Sequence, residues 1–195
     1  MADKQTIGVY DAKADDYARI NKSDGPGRIL SRFIGALPKG ALVLDLGCGP
    51  GLDARPMLDA GLRVEAMDAS PAMVELALSH GVNARLGAFS DLTAQDRYDG
   101  IWASFSLLHA PRADMPGHLS AIKRALKPGG LLQIAVKTGE GEARDKLGRF
   151  YTYYMPDELC ALLDTTGLTP QEITKGRDTG LDGTPSDWVS VAAHG

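Results

Sequence analysis

The sequence predicts an α/β protein built on an open, mostly parallel sheet with helices on both faces. Strand-sized apolar segments alternate with helical patterns along most of the chain. One of these segments, residues 42–46, carries Asp45 and runs into a glycine loop at residues 47–51. The last two strand candidates have no helix between them, so we expect them to pair antiparallel.

Composition and charge exclude several classes of protein. The 195 residues carry a net charge of −4 with scattered lysine and arginine, so we expect no basic surface for nucleic acid. The longest apolar runs have the length of strands and the first residues do not form a signal peptide, which predicts no membrane span and a cytoplasmic location. Cys48 and Cys160 form neither a disulfide framework nor a metal-ligand spacing, so free thiols and no metal are expected.

Two helices are predicted before the glycine loop. Tyr10, Ala14 and Tyr17 recur at helical spacing in a charged stretch and predict one short amphipathic helix. A second helix is expected after Pro26 and before Gly40. Its apolar positions are Leu30, Phe33, Ile34 and Leu37.

A β-α-β-α unit begins with the first strand and places a second acid, Asp68, at the end of its second strand. The helix expected at residues 52–60 leads into a strand at 62–67 that reaches Asp68. Ser70 is a typical N-cap, with Pro71 at the first position of the next helix. Further strands are predicted at residues 84–88 and 98–106.

The last third of the chain interrupts this alternation. Residues 138–154 show no clean periodicity and exceed the roughly 2 to 6 residues usual for such a connection, which predicts a functional or disordered loop. The other predicted elements are a helix at 115–126, a strand at 131–136, a helix ending at Gly167, and strands at 169–174 and 188–192.

Four motifs in this order resemble the class I S-adenosylmethionine-dependent methyltransferases: VLDLGCGPG, VEAMDAS, YDGIWASFSLLH and LKPGGLL. The resemblance implies a Rossmann-like, seven-stranded sheet with an antiparallel C-terminal strand. It also implies methyl transfer from S-adenosylmethionine to a small-molecule acceptor by in-line displacement, with S-adenosylhomocysteine as product. Within this class, the segments SLLHAPRADMPGHLSAIKRALKPGG and KTGEGEARDKLGRFYTYY look most like bacterial small-molecule methyltransferases related to the tellurite-resistance type.

The resemblance covers nearly the whole chain and implies one methyltransferase domain, residues 1–195. Its expected parts are an N-terminal helical lid or cover at 1–40, a cofactor-binding core at 41–137, a substrate-side loop at 138–154, and a C-terminal helix and β-hairpin at 155–195.

In proteins that the chain resembles, the glycine loop meets the methionine part of the cofactor. This implies backbone contacts around Gly47, Cys48, Gly49 and Gly51, with Asp45 nearby. The ligand's ammonium favours carboxylate neighbours and its carboxylate favours N–H donors. An Asp45 that caps the loop backbone is compatible with this role.

Asp68 is expected to accept both ribose hydroxyls, because a carboxylate offers two acceptors at the spacing of a vicinal diol. Ala69 and Ser70 would lie beside the adenine, although N-capping alone also explains Ser70.

In related proteins an acid after the third strand often receives the adenine amino group, and this chain departs from that pattern. Ala88 and Phe89 could still read the adenine through their backbone. Phe89 in the core and Asp91 as a turn cap are equally good interpretations.

The resemblance places Phe105 where cofactor and acceptor meet, although a strand aromatic is more often core. Tyr10 and Tyr17 match an N-terminal lid in related proteins, and simple packing is the alternative. His109 could accept a proton near neutral pH, although a lone histidine is more often structural.

Further candidates for the acceptor side lie in the long loop. Tyr151 and Tyr153 are candidate bases. Arg144 and Arg149 could clamp an anionic substrate, or could pair with nearby acids. The acids considered for such pairs are Glu142 and Asp145.

Three other functions remain open. A NAD-dependent oxidoreductase would also use Asp68, but Leu52 stands where a dinucleotide fingerprint has its third glycine. A non-catalytic S-adenosylmethionine-binding protein is the second alternative. A nucleic-acid methyltransferase is disfavoured by the net acidity and by the absence of an Asn-Pro-Pro-Tyr-like motif.

We expect a small-molecule substrate, no membrane partner, and a monomer or homodimer.

Overall fold

Seven strands form the central sheet of the computed structural model, which describes residues 3–20, 25 and 27–195. Their bounds are β1 (Leu42–Leu46), β2 (Arg63–Asp68), β3 (Ala84–Leu86), β4 (Tyr98–Ser104), β5 (Leu126–Lys137), β8 (Thr169–Thr179) and β9 (Pro185–His194). The strand order is β3-β2-β1-β4-β5-β9-β8. All pairs from β3 to β5 are parallel, whereas β9 runs antiparallel to both β5 and β8. The predicted fold class and terminal hairpin are confirmed.

Seven helices accompany the sheet in the described residues. They are α1 (Lys4–Ala12), α2 (Ala14–Ile20), α3 (Arg28–Ala36), α4 (Ala54–Asp59), α5 (Pro71–Ser79), α6 (Met115–Ala125) and α7 (Pro156–Thr165). Ser70 caps α5 as predicted, since its hydroxyl accepts a hydrogen bond from Met73 N at 3.2 Å. None of the described helices is long and apolar enough to cross a membrane.

Side chains of β1 alternate between two apolar clusters, one on each face of the sheet. Val43 belongs to the cluster that contains Phe33 of α3 and Met57 of α4, and Leu44 belongs to the cluster that contains Leu119 of α6 and Leu163 of α7. Both faces of the strand are therefore buried, which is why its sequence is almost continuously apolar.

The structure corrects two predictions of local structure. The single N-terminal helix is two helices, with Lys13 between them as the C-cap of α1. Pro26, expected before the next helix, lies outside the described residues.

The second correction concerns residues 138–154, which are not a loop without structure. They contain a hairpin of β6 (Glu142–Arg144) and β7 (Phe150–Thr152). Asp145 holds its turn, because its Oδ1 accepts hydrogen bonds from Leu147 N and Arg149 N at 3.0 and 2.9 Å. Strands of three residues are too short to show a period, so the sequence pattern did not reveal them.

The ends of β1 and β4 approach each other closely at Gly47, so we expect Gly47→Ala to destabilise the protein. Gly47 has a φ of +79°, and an added Cβ would lie 2.2 Å from Ser106 Cβ. Strain and overpacking together should lower the free energy of unfolding by about 2 to 5 kcal/mol, measured by urea denaturation.

Gly35→Ala is the matched control for this change. Gly35 lies in α3, and an added Cβ would meet no atom within 4 Å. This change should leave the stability unchanged or raise it by about 0.5 to 1 kcal/mol. Equal effects of the two substitutions would contradict the close-approach argument.

Candidate functional site

A cavity of about 330 Å³ opens at the carboxyl ends of the parallel strands. Gly47 follows β1, Asp68 ends β2 and Phe105 follows β4, and all three line the cavity. Tyr10 of α1 and Tyr17 of α2 form part of the wall. The cavity thus lies where open α/β sheets bind their ligands.

Eleven of the twelve residues predicted to contact a cofactor line this cavity. These are Tyr17, Asp45, Gly47, Cys48, Gly49, Asp68, Ala69, Ser70, Ala88, Phe89 and Phe105. Gly51 does not, and its position is explained by packing, since an added Cβ would lie 2.9 Å from Val82 Cγ2. Ligand contact by the eleven residues remains a prediction.

The N–H groups of the glycine loop are hydrogen-bonded within the protein. Gly47 N and Cys48 N donate to Met67 O at 2.7 and 3.1 Å, and Gly49 N donates to Asp68 Oδ2 at 2.8 Å. These three N–H groups therefore tie the end of β1 to the end of β2. Their expected contact with a ligand carboxylate remains a prediction.

Asp68 is held rigidly by backbone donors. Ser70 N donates to its Oδ1 at 2.9 Å, opposite the bond from Gly49 N to Oδ2. Each carboxylate oxygen keeps a further acceptor site. The Ser70 hydroxyl, in contrast, is engaged, because it donates to Asp11 Oδ1 at 2.5 Å and accepts from Met73 N.

Five aspartates of the described chain line the cavity, and burial raises the pKa of three of them, Asp45, Asp53 and Asp68. Asp45 is 2% exposed, and its Oδ2 has no hydrogen-bond partner among the described residues. Asp53 accepts a hydrogen bond from Trp102 Nε1 at 2.9 Å. Burial, followed by the nearby charges of Asp53 and Asp68, raises the pKa of Asp45 well above its usual range. Burial also raises the pKa of Asp53 and of Asp68.

No lysine or arginine stands among the cavity-lining residues of the described chain. Asp45, Asp53 and Asp68 therefore have no lysine or arginine beside them among the wall residues that the structure describes. A ligand with positive charge is the natural counterpart of such a surface.

The corner after β3 is formed by a short 3₁₀ turn. Ala88 N donates to Asp91 Oδ2 at 2.9 Å, so Asp91 acts as the turn cap. The Phe89 ring meets the His118 ring edge to face at 5.5 Å. Phe105, after β4, has a φ of +52°, an uncommon conformation for a non-glycine residue that recurs at functional sites.

His109 has a defined tautomer. Its Nδ1 lies 2.6 Å from the Phe150 carbonyl oxygen, which can only accept, so Nδ1 carries the proton. Nε2 then accepts from the Tyr10 hydroxyl at 2.8 Å. Burial lowers the pKa of His109 to about 4, and the charge of Arg149 acts in the same direction. His109 is thus a neutral imidazole whose basic nitrogen faces Tyr10.

The other three catalytic candidates do not line the cavity. Arg149 is buried, forms an ion pair with Asp145 at 2.7 Å and donates to the Tyr10 hydroxyl at 3.1 Å. Tyr151 packs behind His109, with ring centroids 4.7 Å apart.

Arg144 pairs with Asp3 at 2.8 Å, not with an acid of its own loop. That bond is the largest cause that holds the pKa of Asp3 below its usual range. In this geometry Arg144 and Arg149 attach the β6–β7 hairpin to α1.

Comparison with known proteins identifies the family. A family model described as a methyltransferase domain matches residues 17–172. This chain belongs to the methyltransferase domain family. Ubiquinone biosynthesis O-methyltransferase from Xanthomonas oryzae pv. oryzae is 38% identical over 104 residues, which are 49% of this chain and 43% of the relative. The enzyme of that name from Xanthomonas axonopodis pv. citri is 30% identical over 160 residues, 70% of this chain and 66% of the relative. The chain thus spans less than half of the first relative.

Solved structures give the same fold for this methyltransferase domain. A Burkholderia thailandensis 1,6-didemethyltoxoflavin-N1-methyltransferase with bound 1,6-didemethyltoxoflavin and S-adenosylhomocysteine has a TM-score of 0.76 at 25% identity. The alignment covers 97% of this chain and 87% of that one. A SAM-dependent methyltransferase from Methanosarcina mazei has a TM-score of 0.75 at 16% identity, covering 87% and 98% of the two chains.

Several wall residues of the methyltransferase domain were not predicted from the sequence. Asp53, Trp102 and His118 line the cavity, as does Asp3. Asp53 carries a signal that could have been used, because it stands two residues after the glycine loop. Trp102 was assigned only to a strand, and the sequence did not show that its Nε1 donates to Asp53 Oδ2.

We expect Asp45→Asn to stabilise the ligand-free protein at neutral pH. Because folding raises the pKa of Asp45, the folded state binds a proton more readily than the unfolded state. The free energy of unfolding therefore falls as the pH rises above the unfolded value of about 3.9 and through the folded pKa. The substitution should remove the part of this fall that Asp45 causes, while Asp53 and Asp68 keep their own contributions. It should raise the free energy of unfolding at pH 7 by about 1 to 3 kcal/mol.

Urea denaturation between pH 4 and pH 7 would measure this effect. Asp59→Asn is the control, since Asp59 is exposed and lies outside the cavity. A loss of stability in Asp45→Asn at pH 7 would show that the Asp45 charge is compensated in the ligand-free protein.

Proposed function

We propose that this methyltransferase domain transfers a methyl group from S-adenosylmethionine to a small-molecule acceptor. The observation that carries the proposal is the cavity wall, which combines Asp45, Asp53 and Asp68 with no lysine or arginine among the described residues. S-adenosylmethionine presents a sulfonium and an ammonium, and both favour carboxylate neighbours.

The residues present fit this cofactor. Asp45 Oδ2 is a buried acceptor without a partner, which suits the ammonium of the methionine part. Asp68 keeps an acceptor site on each oxygen, which suits a ribose diol. A nicotinamide dinucleotide fits less well, because its pyrophosphate would bring two negative charges to an acidic wall.

The relatives support the same proposal. The Burkholderia thailandensis enzyme holds S-adenosylhomocysteine together with 1,6-didemethyltoxoflavin, and it aligns over almost the whole of this chain. The Xanthomonas relatives are O-methyltransferases of ubiquinone biosynthesis. These names favour a small aromatic acceptor.

The narrower resemblance to the tellurite-resistance type remains a prediction. The expected oligomeric state, a monomer or homodimer, also remains a prediction.

The wall residues prepare the site for an in-line displacement. When bound, the cofactor supplies an electrophilic methyl group on a sulfonium sulfur. Tyr10 and Tyr17 cover the cavity from α1 and α2 and limit the access of water. Tyr10 also holds its hydroxyl proton toward His109 Nε2, and Arg149 fixes that hydroxyl from the other side. The site therefore contributes orientation, a shielded cavity and a neutral imidazole, without a nucleophile of its own.

Calorimetry would test the cofactor assignment. We expect S-adenosylhomocysteine to bind and NADH not to bind. Asp68→Ala should weaken S-adenosylhomocysteine binding about 10- to 100-fold, because it removes charge-assisted acceptors. Asp59→Ala, at an exposed ion pair with Arg55, is the control and should leave the affinity unchanged. Tight NADH binding would overturn the proposal.

A second function, binding of the cofactor without catalysis, is favoured by one observation. Of the four catalytic candidates, only His109 lines the cavity, and its pKa of about 4 makes it a weak base. A screen for transfer of a labelled methyl group to phenols, thiols, amines, carboxylates, tellurite and selenite would decide. We expect transfer to a phenol or thiol, whose proton is lost easily. Cofactor binding without transfer to any of these compounds would favour the binding protein.

A further inference from the structure

Asp53 is a carboxylate of the cavity wall to which the proposed function assigns no part of the cofactor. It stands at the N-cap position of α4, where an aspartate side chain commonly accepts a hydrogen bond from the helix. The Asp53 side chain accepts no such bond, and it lines the cavity instead. Helix capping therefore does not explain this carboxylate.

Trp102 of β4 holds the Asp53 carboxylate in place. Its Nε1 donates to Asp53 Oδ2 at 2.9 Å. Burial raises the pKa of Asp53, and the bond from Trp102 opposes this shift because it stabilises the charged form. The Trp102 ring is itself buried and packs against the Phe33 ring, with centroids 5.1 Å apart. Asp53 Oδ1 has no hydrogen-bond partner among the described residues and is left for a ligand.

Asp53 and Asp45 are neighbours on one face of the sheet. Trp102 stands directly opposite Asp45 in the parallel β1–β4 pair. Trp102 also belongs to the apolar cluster of Val43, which points to the same face as Asp45 because it lies two residues earlier. The charge of Asp53 raises the pKa of Asp45 more than the charge of Asp68 does.

These two carboxylates face an enclosed part of the cavity. Asp45 is 2% exposed, and its Oδ2 has no partner among the described residues. The Tyr17 ring covers the glycine loop beside them, since an added Cβ on Gly49 would lie 3.6 Å from Tyr17 Cε1. Because the described wall contains no lysine or arginine, the charge of a ligand has a large effect on its binding there.

The methyl donor and its product differ in net charge. The ammonium and the carboxylate of the methionine part cancel each other in both compounds, so the sulfonium supplies the net positive charge of S-adenosylmethionine. Methyl transfer breaks the bond between sulfur and the methyl carbon, and both electrons of that bond stay on sulfur. The methyl carbon bonds to a lone pair of the acceptor, which then loses a proton to water. The thioether product is therefore neutral overall.

We propose that Asp53, held at the cavity wall by Trp102, makes the site bind the positively charged donor more tightly than its neutral product. Loss of the sulfonium charge then favours release of S-adenosylhomocysteine. The inference rests on the proposed methyl transfer and adds a control of product inhibition in the same site. Asp53 selects between donor and product, and Trp102 is a positioning residue.

Calorimetry without an acceptor would test this inference with three ligands. They are S-adenosylmethionine, S-adenosylhomocysteine and sinefungin, in which a protonated amine replaces the sulfonium centre. We expect S-adenosylmethionine to bind about tenfold or more tightly than S-adenosylhomocysteine, because only the donor brings a net positive charge to the carboxylates. Sinefungin should also bind more tightly than S-adenosylhomocysteine, which separates the effect of charge from that of the methyl group.

Asp53→Asn is the decisive variant, because it removes the charge while its amide oxygen can still accept from Trp102 Nε1. It should lower the preference for the donor about fivefold or more and leave the affinity for S-adenosylhomocysteine unchanged. Trp102→Phe keeps a ring but removes the donor to Asp53, so it should lower the same preference. Asp59→Asn is the control at an exposed aspartate of α4 and should keep the preference unchanged.

The possible results distinguish the inference from the proposed function. Equal affinities for donor and product in the unmodified protein, which need no variant, would overturn the inference while the proposed methyl transfer stands. A preference that Asp53→Asn leaves unchanged would overturn it as well. An equal loss of affinity for all three ligands in Asp53→Asn would show that Asp53 maintains the shape of the cavity, and the inference would be wrong. A failure of all three ligands to bind the unmodified protein would overturn the proposed function, and the inference would fall with it.

Discussion

The site depends on the enclosed carboxylates of Asp45, Asp53 and Asp68, which have no lysine or arginine among the described residues of the cavity wall. Asp45 is buried with an unpartnered oxygen, and burial raises its pKa together with those of Asp53 and Asp68. Such a group destabilises a folded chain unless a cation joins it. The two apolar clusters on the faces of the sheet supply the stability that this arrangement removes. The protein thus keeps a locally unfavourable arrangement where a cationic ligand is expected.

The β6–β7 hairpin connects helix α1 with His109. Phe150 N donates to Thr6 Oγ1 at 2.8 Å, and Phe150 O accepts from His109. Arg149 reaches Tyr10 from the same hairpin. These bonds join helix α1, the neutral imidazole of His109 and the β6–β7 hairpin into one structural unit. A displacement of α1 would therefore change the surroundings of His109 as well as the access of water.

Much of the fold was predictable, because strand alternation and caps are encoded within a few neighbouring residues. Asp68 at the end of β2 and Ser70 at the start of α5 were placed correctly for this reason. The hairpin was not predicted, because its strands have three residues and its turn depends on the Asp145 side chain. The bonds from Gly47 N, Cys48 N and Gly49 N to Met67 O and Asp68 were not predicted either, because they join the ends of two strands that are distant in the sequence.

The sequence by itself determined the order of strands and helices, the position of the glycine loop and the acids at two strand ends. These features follow from hydrophobic period and from the conformational freedom of glycine, which act locally. Only the tertiary structure decided which distant side chains meet. Tyr10 bonds to His109 across 99 residues, and Arg144 pairs with Asp3 across 141. Such contacts depend on how the strands and their connections pack together, and no short stretch of sequence contains that information.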